Sequence, residues 1–352
     1  MKIVFLAWRD LSHPNAGGSE VVVDKLASHL LDRGHEVSLM CSSPCGDNPY
    51  RTIAIGRTYS QYFRAPFEYL ARRMKADVVV DVENGLPFFS PIWQRSSVVG
   101  LVHHVHTQQW GMQFRRPLSI LGRSLESKVM PRTYRNCLMV AVSESTASDL
   151  ANLGFDRSNI NVIHMGVDPP IVDLPRSSSP QFLVLGRLVP HKRVHKVLEM
   201  WEAVRTEVGG ELIIAGDGPE RSKLEKIAGQ NVRFTGVITD LQKQSYLSSS
   251  WILIHPAHHE GWGTVVMEAA AYGTPTIAYQ VQGLRDSVQN GVTGLLVDSD
   301  SSFIDAWISM TKDPERRERL GSAAQQRTMR FNWSSSVDNF ESVLEEARVR
   351  PR

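Results

Sequence analysis

Trp251-Ile-Leu-Ile-His-Pro256 is followed by Glu260-Gly-Trp-Gly-Thr-Val-Val-Met-Glu268, then by Ala-Ala-Ala-Tyr-Gly273-Thr-Pro275 and Thr276-Ile-Ala-Tyr279. The first run is continuously apolar and reads as a buried strand, as does 276–279. Between them, 264–272 reads as a short helix with Thr264 as its N-cap and Gly273 as its C-terminal stop. A strand, a helix and a second strand in so short a stretch make a βαβ unit, the building block of a parallel sheet.

The same stretch carries two carboxylates, Glu260 in the loop and Glu268 in the helix. Even on one continuous helix, that spacing would set them roughly 12 Å apart along the axis and about 80° round it. They are therefore too far apart to flank one scissile bond, as paired glycosidase carboxylates do, and suit different parts of one extended ligand. Between them the backbone N–H groups of Gly261, Trp262, Gly263 and Thr264 sit at a helix N-terminus, which favours phosphate. A ligand with hydroxyls at both ends and a diphosphate in the middle fits: a nucleotide sugar.

Outward from this stretch the rhythm continues in both directions. Apolar runs at 2–7, 35–40, 77–82, 98–103 and 138–142 alternate with longer amphipathic segments, the first of them a helix over 20–33 closed by Gly34. After the proline- and serine-rich segment 173–180, strands recur at 181–186, 211–215, 232–234, 251–255, 276–279 and 294–297, with a helix over 194–208. The pattern predicts an α/β protein of two doubly wound, Rossmann-like domains, 1–172 and 181–330, joined by a linker at 173–180. The length of 352 residues suits two domains of ordinary size.

With 39 basic and 37 acidic residues the net charge is +2, so no overall field argues for nucleic acid. Three cysteines, Cys41, Cys45 and Cys137, form no disulfide framework and point to a reducing cytoplasm. The N-terminal apolar run is too short for a signal peptide, and no run approaches a membrane span. No strand is followed by a full G-x-G-x-x-G with an acid about twenty residues on, which argues against a nicotinamide dehydrogenase.

The pattern E-G-[FW]-G-x4-E-A-x-A-x-G-x-P resembles the donor-site signature of the retaining glycosyltransferases of family 4, the group 1 glycosyl transferases. Other hallmarks stand in the family's order: His13-Pro-Asn-Ala-Gly17-Gly18-Ser19-Glu20, Val142-Ser-Glu-Ser145, Val162-Ile-His-Met-Gly166-Val-Asp168, Gly186-Arg-Leu188 with Lys192, Ile214-Ala-Gly-Asp-Gly-Pro219 and Phe234-Thr-Gly236. The resemblance spans essentially the whole chain. It implies the GT-B fold, two Rossmann-like domains facing across a cleft. The first would bind acceptor and be joined by a C-terminal helix over 331–352, and the second would bind the nucleotide sugar.

Residue by residue, the resemblance implies that Arg187 and Lys192 grip the diphosphate and take the place of a metal, while Glu260 contacts the transferred sugar and Glu268 the ribose. Gly216, Gly218 and Gly236 would allow close backbone approach near the nucleotide, although each alone also reads as a turn at a strand end. Gly17 and Gly18 would bring backbone amides to the donor phosphate or acceptor. A histidine that meets the sugar is His103 first and His104 second. Lys192 is followed by Arg193 where many relatives have glycine, which stiffens the loop or adds a third cation.

The implied activity is retaining, metal-independent transfer of a hexosyl group, from a UDP-sugar first and GDP-mannose next, to an acceptor hydroxyl. The alternative is an inactive nucleotide-sugar-binding protein of the same fold; the joint presence of Arg187, Lys192, Glu260 and Glu268 speaks against it. No cofactor or metal is expected. His104 and His106 alternate on an extended segment and point together, but no third ligand is evident, and Asp298-Ser-Asp300 reads as an acid-rich turn.

The acceptor is saccharide, lipid-linked or a secondary metabolite. One segment bears on it: within 110–135 six basic residues, Arg115, Arg116, Arg123, Lys128, Arg132 and Arg135, face one acid, Glu126, with Met112, Phe114, Leu118, Ile120, Leu121 and Leu125 interleaved. This suits peripheral contact with the inner face of the membrane. The competing reading, a helix with its apolar face in the core and a solvated basic face, fits slightly better.

Overall fold

The computed structural model describes residues 1–14, 16–43, 45–57, 59–107 and 109–350. Asn15 of the N-terminal motif, the Met112 side chain and residues 351–352 lie outside the described residues. The chain divides into two units, Met1–Met165 with Trp333–Arg352, and Gly166–Asn332.

The first unit is built on seven strands: β1 (Lys2–Leu6), β2 (Glu36–Cys41), β3 (Arg51–Ala54), β4 (Val78–Glu83), β5 (Ser97–Val102), β6 (Leu138–Ala141) and β7 (Ile160–Val162). They pair in the order β3-β2-β1-β4-β5-β6-β7, parallel throughout. The chain reverses direction across the sheet between β1 and β4, the switch point at which doubly wound sheets open a crevice beyond their strand ends. Just past β4 the turn is pinned by buried Asp81, whose carboxylate accepts the N–H of Phe88 and Ser90 and the Tyr134 hydroxyl.

The C-terminal helix Trp333–Val349 belongs to this first unit. Val337, Phe340 and Leu344 recur at helical spacing and are fully buried, and the Phe340 ring stacks on Phe5 of β1 at 6.3 Å. At its edge Glu341 accepts from Arg33 and lies 2.6 Å from the His35 ring.

The second unit holds β8 (Gln181–Leu185), β9 (Glu211–Ala215), β10 (Val232–Gly236), β11 (Ile252–His255), β12 (Thr276–Tyr279) and β13 (Gly294–Val297), in the order β10-β9-β8-β11-β12-β13, again parallel. On one face, Phe182, Trp201 and Trp307 pack ring to ring at 5.2–5.7 Å, joining β8 to the helices Val194–Val208 and Asp300–Lys312. The switch point here lies between β8 and β11.

Segment 173–180 is part of the second unit rather than a linker, and the division falls at Met165/Gly166. Leu174 and Ser177 are hydrogen-bonded to Ser248, Ser249 and Trp251, and Arg176 adds the largest set of bonds. Its guanidinium donates to the carbonyls of Ser248, Ser250 and Tyr272 at 2.7–2.8 Å, satisfying backbone acceptors that would otherwise be left at helix and strand ends.

Candidate active site

In the second unit the strand ends at the switch point carry the residues singled out in the sequence. β8 ends at Leu185, and Gly186 leads to the exposed Arg187. A single 3-10 turn, Pro190–Lys192, then sets Lys192 just before the helix Val194–Val208. From the neighbouring strand, β11 ends at His255 and the following loop brings in Glu260. The Lys192 ammonium donates to Glu260 Oε1, and His255 Nε2 lies 2.9 Å from the same oxygen. His255 is 3% exposed. Burial alone would push the Glu260 carboxyl up, but Lys192 and His255 outweigh it and hold the group well below the usual carboxylate range. Burial conversely lowers the His255 pKa. The ensemble at neutral pH is an ionised carboxylate between an ammonium and a neutral imidazole.

Glu268 sits one helix turn and more beyond, where Lys243 donates to its Oε1 at 2.9 Å. Burial raises its pKa against the pull of Lys243. Glu260 and Glu268 thus engage different cations at separate places, in keeping with two ends of one ligand. The helix between them runs Thr264–Ala271. Its N-cap is Gly263, in the left-handed region at φ +73°, and not Thr264, which is the first helical residue. Gly263 therefore turns the chain so that the N–H groups at the helix start remain outside the helical ladder. Trp262 is buried, its ring edge-on to Phe331 at 5.2 Å.

Gly216 and Gly218 serve the chain itself. A Cβ on Gly216 would lie 1.9 Å from the Gly186 carbonyl oxygen, and one on Gly218 2.4 Å from that of Leu188. Both glycines let the end of β9 close on the two residues that flank Arg187. Gly236, at the end of β10, accepts from the Gly216 N–H at 2.9 Å. Arg193 adopts φ +51°, a left-handed conformation that glycine takes without cost. Its guanidinium lies over the Tyr279 ring at 4.9 Å, so this cation is held against β12. Asp298-Ser-Asp300 forms the capped start of the helix Asp300–Lys312, with Ser299 accepting from the Ser302 N–H.

In the first unit, Gly17 is the N-cap of the helix Gly18–Asp32, and its N–H donates to Glu20 Oε2 at 2.7 Å. That amide is therefore occupied by the chain's own carboxylate, which also accepts from Arg9 at 3.3 Å; Gly18 opens the helix. His103 follows β5 and is 7% exposed, and burial lowers its pKa to about 4, so the ring is neutral at pH 7. The His104 and His106 rings lie 3.9 Å apart, as their alternation implies.

Two neutral histidines, the buried His103 and the partly buried His191, give a pH dependence. His103 and His191, both lowered to about 4 from 6.5, bind protons in the unfolded chain first. Their contribution is present above pH 6.5 and is lost as pH falls from there toward 4. Melting temperature should decline across that window, and His103→Gln should flatten the decline; an unchanged slope would contradict the burial effect.

Sequence reasoning missed four partners. His255 and Lys243 are brought to the glutamates by β11 and by the helix Asp240–Ser249. Glu83 and Glu126 meet His106, the three donor atoms lying within 4.8 Å of one another. His255, at the end of an apolar run, and Glu126, the one acid of a basic segment, carry a local signal; Lys243 and Glu83 carry none.

The family model for Glycosyltransferase Family 4 matches residues 16–170, and that for Glycosyl transferases group 1 matches residues 172–327. The chain belongs to glycosyltransferase family 4. It is 24% identical to N-acetyl-alpha-D-glucosaminyl L-malate synthase of Bacillus anthracis, over 94% of each chain. It is 25% identical to D-inositol 3-phosphate glycosyltransferase of Thermomonospora curvata, over 95% of this chain and 91% of that one. Among solved structures it is similar to sucrose-phosphate synthase of Thermosynechococcus elongatus, at TM-score 0.83, 19% identity and 98% of both chains. It is also similar to HepE of Anabaena in complex with UDP and glucose, at TM-score 0.78 and 16% identity over 98% of this chain and 100% of that one. The fold of this glycosyltransferase is GT-B, and the protein is an enzyme of the hexosyltransferase class.

Proposed function

We propose that this glycosyltransferase moves a hexosyl group from a nucleoside-diphosphate sugar, a UDP-sugar first and GDP-mannose next, to an acceptor hydroxyl, with retention at the anomeric carbon. The observation that carries the reading is the cluster at the β8/β11 switch point: Lys192 on an ionised Glu260, with Arg187 at the neighbouring strand end. Glu268 is assigned to the ribose hydroxyls and Glu260 to the sugar.

Arg187, Lys192 and the amides at the start of the helix Thr264–Ala271 stabilise the negative charge that develops on the departing diphosphate. Two fixed cations do there what a divalent ion would otherwise do, so we place no metal at the diphosphate. Transfer runs on one face of the sugar. The bond from the anomeric carbon to the phosphate oxygen breaks, the acceptor oxygen bonds to the same carbon, and the departing phosphate oxygen takes the acceptor proton. His103 is neutral at pH 7 and is assigned to a sugar hydroxyl, with His104 beside it. Turnover of a UDP-sugar by the wild type, lowered about a hundredfold or more in the Arg187→Ala and Lys192→Ala variants, tests the assignment.

The acceptor is proposed to lie at an anionic membrane surface. Leu118, Ile120 and Leu121 do not enter the core: each is more than half exposed, alongside exposed Arg115, Arg116, Arg123 and Lys128. On the helix Ser60–Ala71 a second apolar stripe, Phe63, Phe67 and Leu70, is 60–78% exposed beside Arg64. Tyr59 at the start of that helix meets Phe114 at 6.2 Å, which joins the two stripes. Among the described residues no helix is long and apolar enough to cross a membrane. Each basic side chain near an anionic leaflet contributes about 1 kcal/mol. Co-sedimentation should therefore be about tenfold or more better with anionic than with zwitterionic vesicles, and weaker after Leu118→Ser/Leu121→Ser. Equal binding to both would contradict the membrane assignment.

A further inference from the structure

We propose that Glu83, His106 and Glu126 form a site for one divalent transition-metal ion of the zinc or manganese class. It lies in the first unit, where the His106 ring is 3.9 Å from that of His104. Glu83 is the last residue of β4, His106 lies in the turn after β5, and Glu126 comes from the helical segment Leu125–Val129. All three are buried, with Glu83 1% and Glu126 0% exposed.

Glu83 Oε1 accepts the Gly85 N–H at 2.8 Å and lies 4.0 Å from His106 Nδ1. Glu83 Oε2 is buried and has no hydrogen-bond partner among the described residues. Glu126 accepts the Trp110 indole N–H at 2.8 Å and the backbone N–H of His106. Among the described residues neither glutamate is ion-paired with a lysine or arginine.

Two carboxylates taken out of water together, one with an idle oxygen, call for a proton or a cation. Burial and mutual repulsion push Glu83 well up, and burial pushes Glu126 to about 7. An imidazole beside them selects the cation: a hard ion such as magnesium prefers all-oxygen shells, whereas zinc and manganese accept one nitrogen with two carboxylates. The N–H groups of Gly85, Trp110 and His106 already orient both carboxylates, the arrangement that holds metal ligands in place. Donor atoms up to 4.8 Å apart would draw in to the roughly 3.3 Å edge of a tetrahedral shell with ligand distances near 2.0–2.1 Å. The ion would fasten the turn that carries His103 and His104, so its role is to position that turn.

The full chain, freed of metal by EDTA dialysis, is titrated with Zn²⁺ and with Mn²⁺, and bound ion is measured by equilibrium dialysis and mass spectrometry. The expected result is one ion per chain, a rise in melting temperature on loading, and affinity reduced about tenfold or more in Glu83→Gln and Glu126→Gln. The surface variant His258→Ala should bind as the wild type does. X-ray absorption of the loaded wild type, which depends on no variant, should show a nitrogen and oxygen shell with imidazole scattering. Absence of a stoichiometric ion, wild-type affinity in Glu83→Gln, or a sulfur shell from Cys41 and Cys45 would overturn the proposal and leave the two carboxyls sharing a proton.

Discussion

Lys192→Ala and Arg187→Ala should each lower turnover at saturating donor by about a hundredfold or more, the scale on which one preorganised charge-stabilising donor acts. Lys192 is held by a 3-10 turn at the start of a helix and fixed by Glu260, so it needs no reorganisation when charge appears on the leaving diphosphate. Arg187 stands at the adjacent strand end, where the closure of Gly216 on Gly186 and of Gly218 on Leu188 fixes the backbone on either side of it. Lys192→Ala has a second consequence. It leaves the largely buried Glu260 with His255 but without its ammonium partner, so its pKa rises. Lys192→Arg restores the charge but not the geometry and should recover only part of the loss. Steady-state kinetics check both: kcat should fall much further than donor affinity. A fall confined to KM would show that the two cations bind donor without stabilising the transition state.

Glu268→Ala should weaken nucleotide binding by roughly ten- to a hundredfold. Hydrogen bonds to a charged group contribute about 1.5–3 kcal/mol, and the proposed function assigns this carboxylate to the ribose hydroxyls. The variant also strips Lys243 of its Glu268 partner, which leaves an ammonium beside the pocket and opposes the remaining contacts only weakly, because Asp240 lies 3.3 Å away on the same helix. Calorimetric titration of wild type and variant with UDP measures the difference. Equal affinity would remove Glu268 from the nucleotide site.

Most of the central strands were legible because both faces of a parallel sheet are covered, so β1, β5, β8, β9, β11 and β12 read as largely apolar runs, and β4 does so up to Asp81. The two strands that were not are at sheet edges. Arg51–Ala54 is half polar and Ile160–Val162 is three residues long, too little of either to show a period. The N-cap was placed at Thr264 because threonine favours that role, yet the turn needs a left-handed residue and Gly263 supplies it. Segment 173–180 has the composition of a linker, yet Leu174, Arg176 and Ser177 tie it down through groups more than seventy positions away.

The candidate site divides in the same way. Its carboxylates and cations were recognisable from a compact motif and its ordered neighbours. Their pairing was not: Lys192 reaches Glu260 across 68 positions, and Lys243 reaches Glu268 across 25, with no local period linking them. Glu126 stood out in the sequence only as the lone acid of a basic segment, and its burial against Trp110 and His106 is a product of the fold.

The central claim is that the β8/β11 switch point of the second unit binds a nucleoside-diphosphate sugar through Glu268 and the Arg187/Lys192 pair without a metal. The most direct test is a thermal-shift panel of UDP, GDP, ADP and their hexose conjugates on wild type and Glu268→Ala, each with and without EDTA, read as the nucleotide-dependent shift within each buffer. The account predicts stabilisation by one nucleotide family, UDP first, that is the same in both buffers and shrinks in the variant. No shift with any nucleotide, or a shift that vanishes with EDTA and ignores the variant, would contradict it.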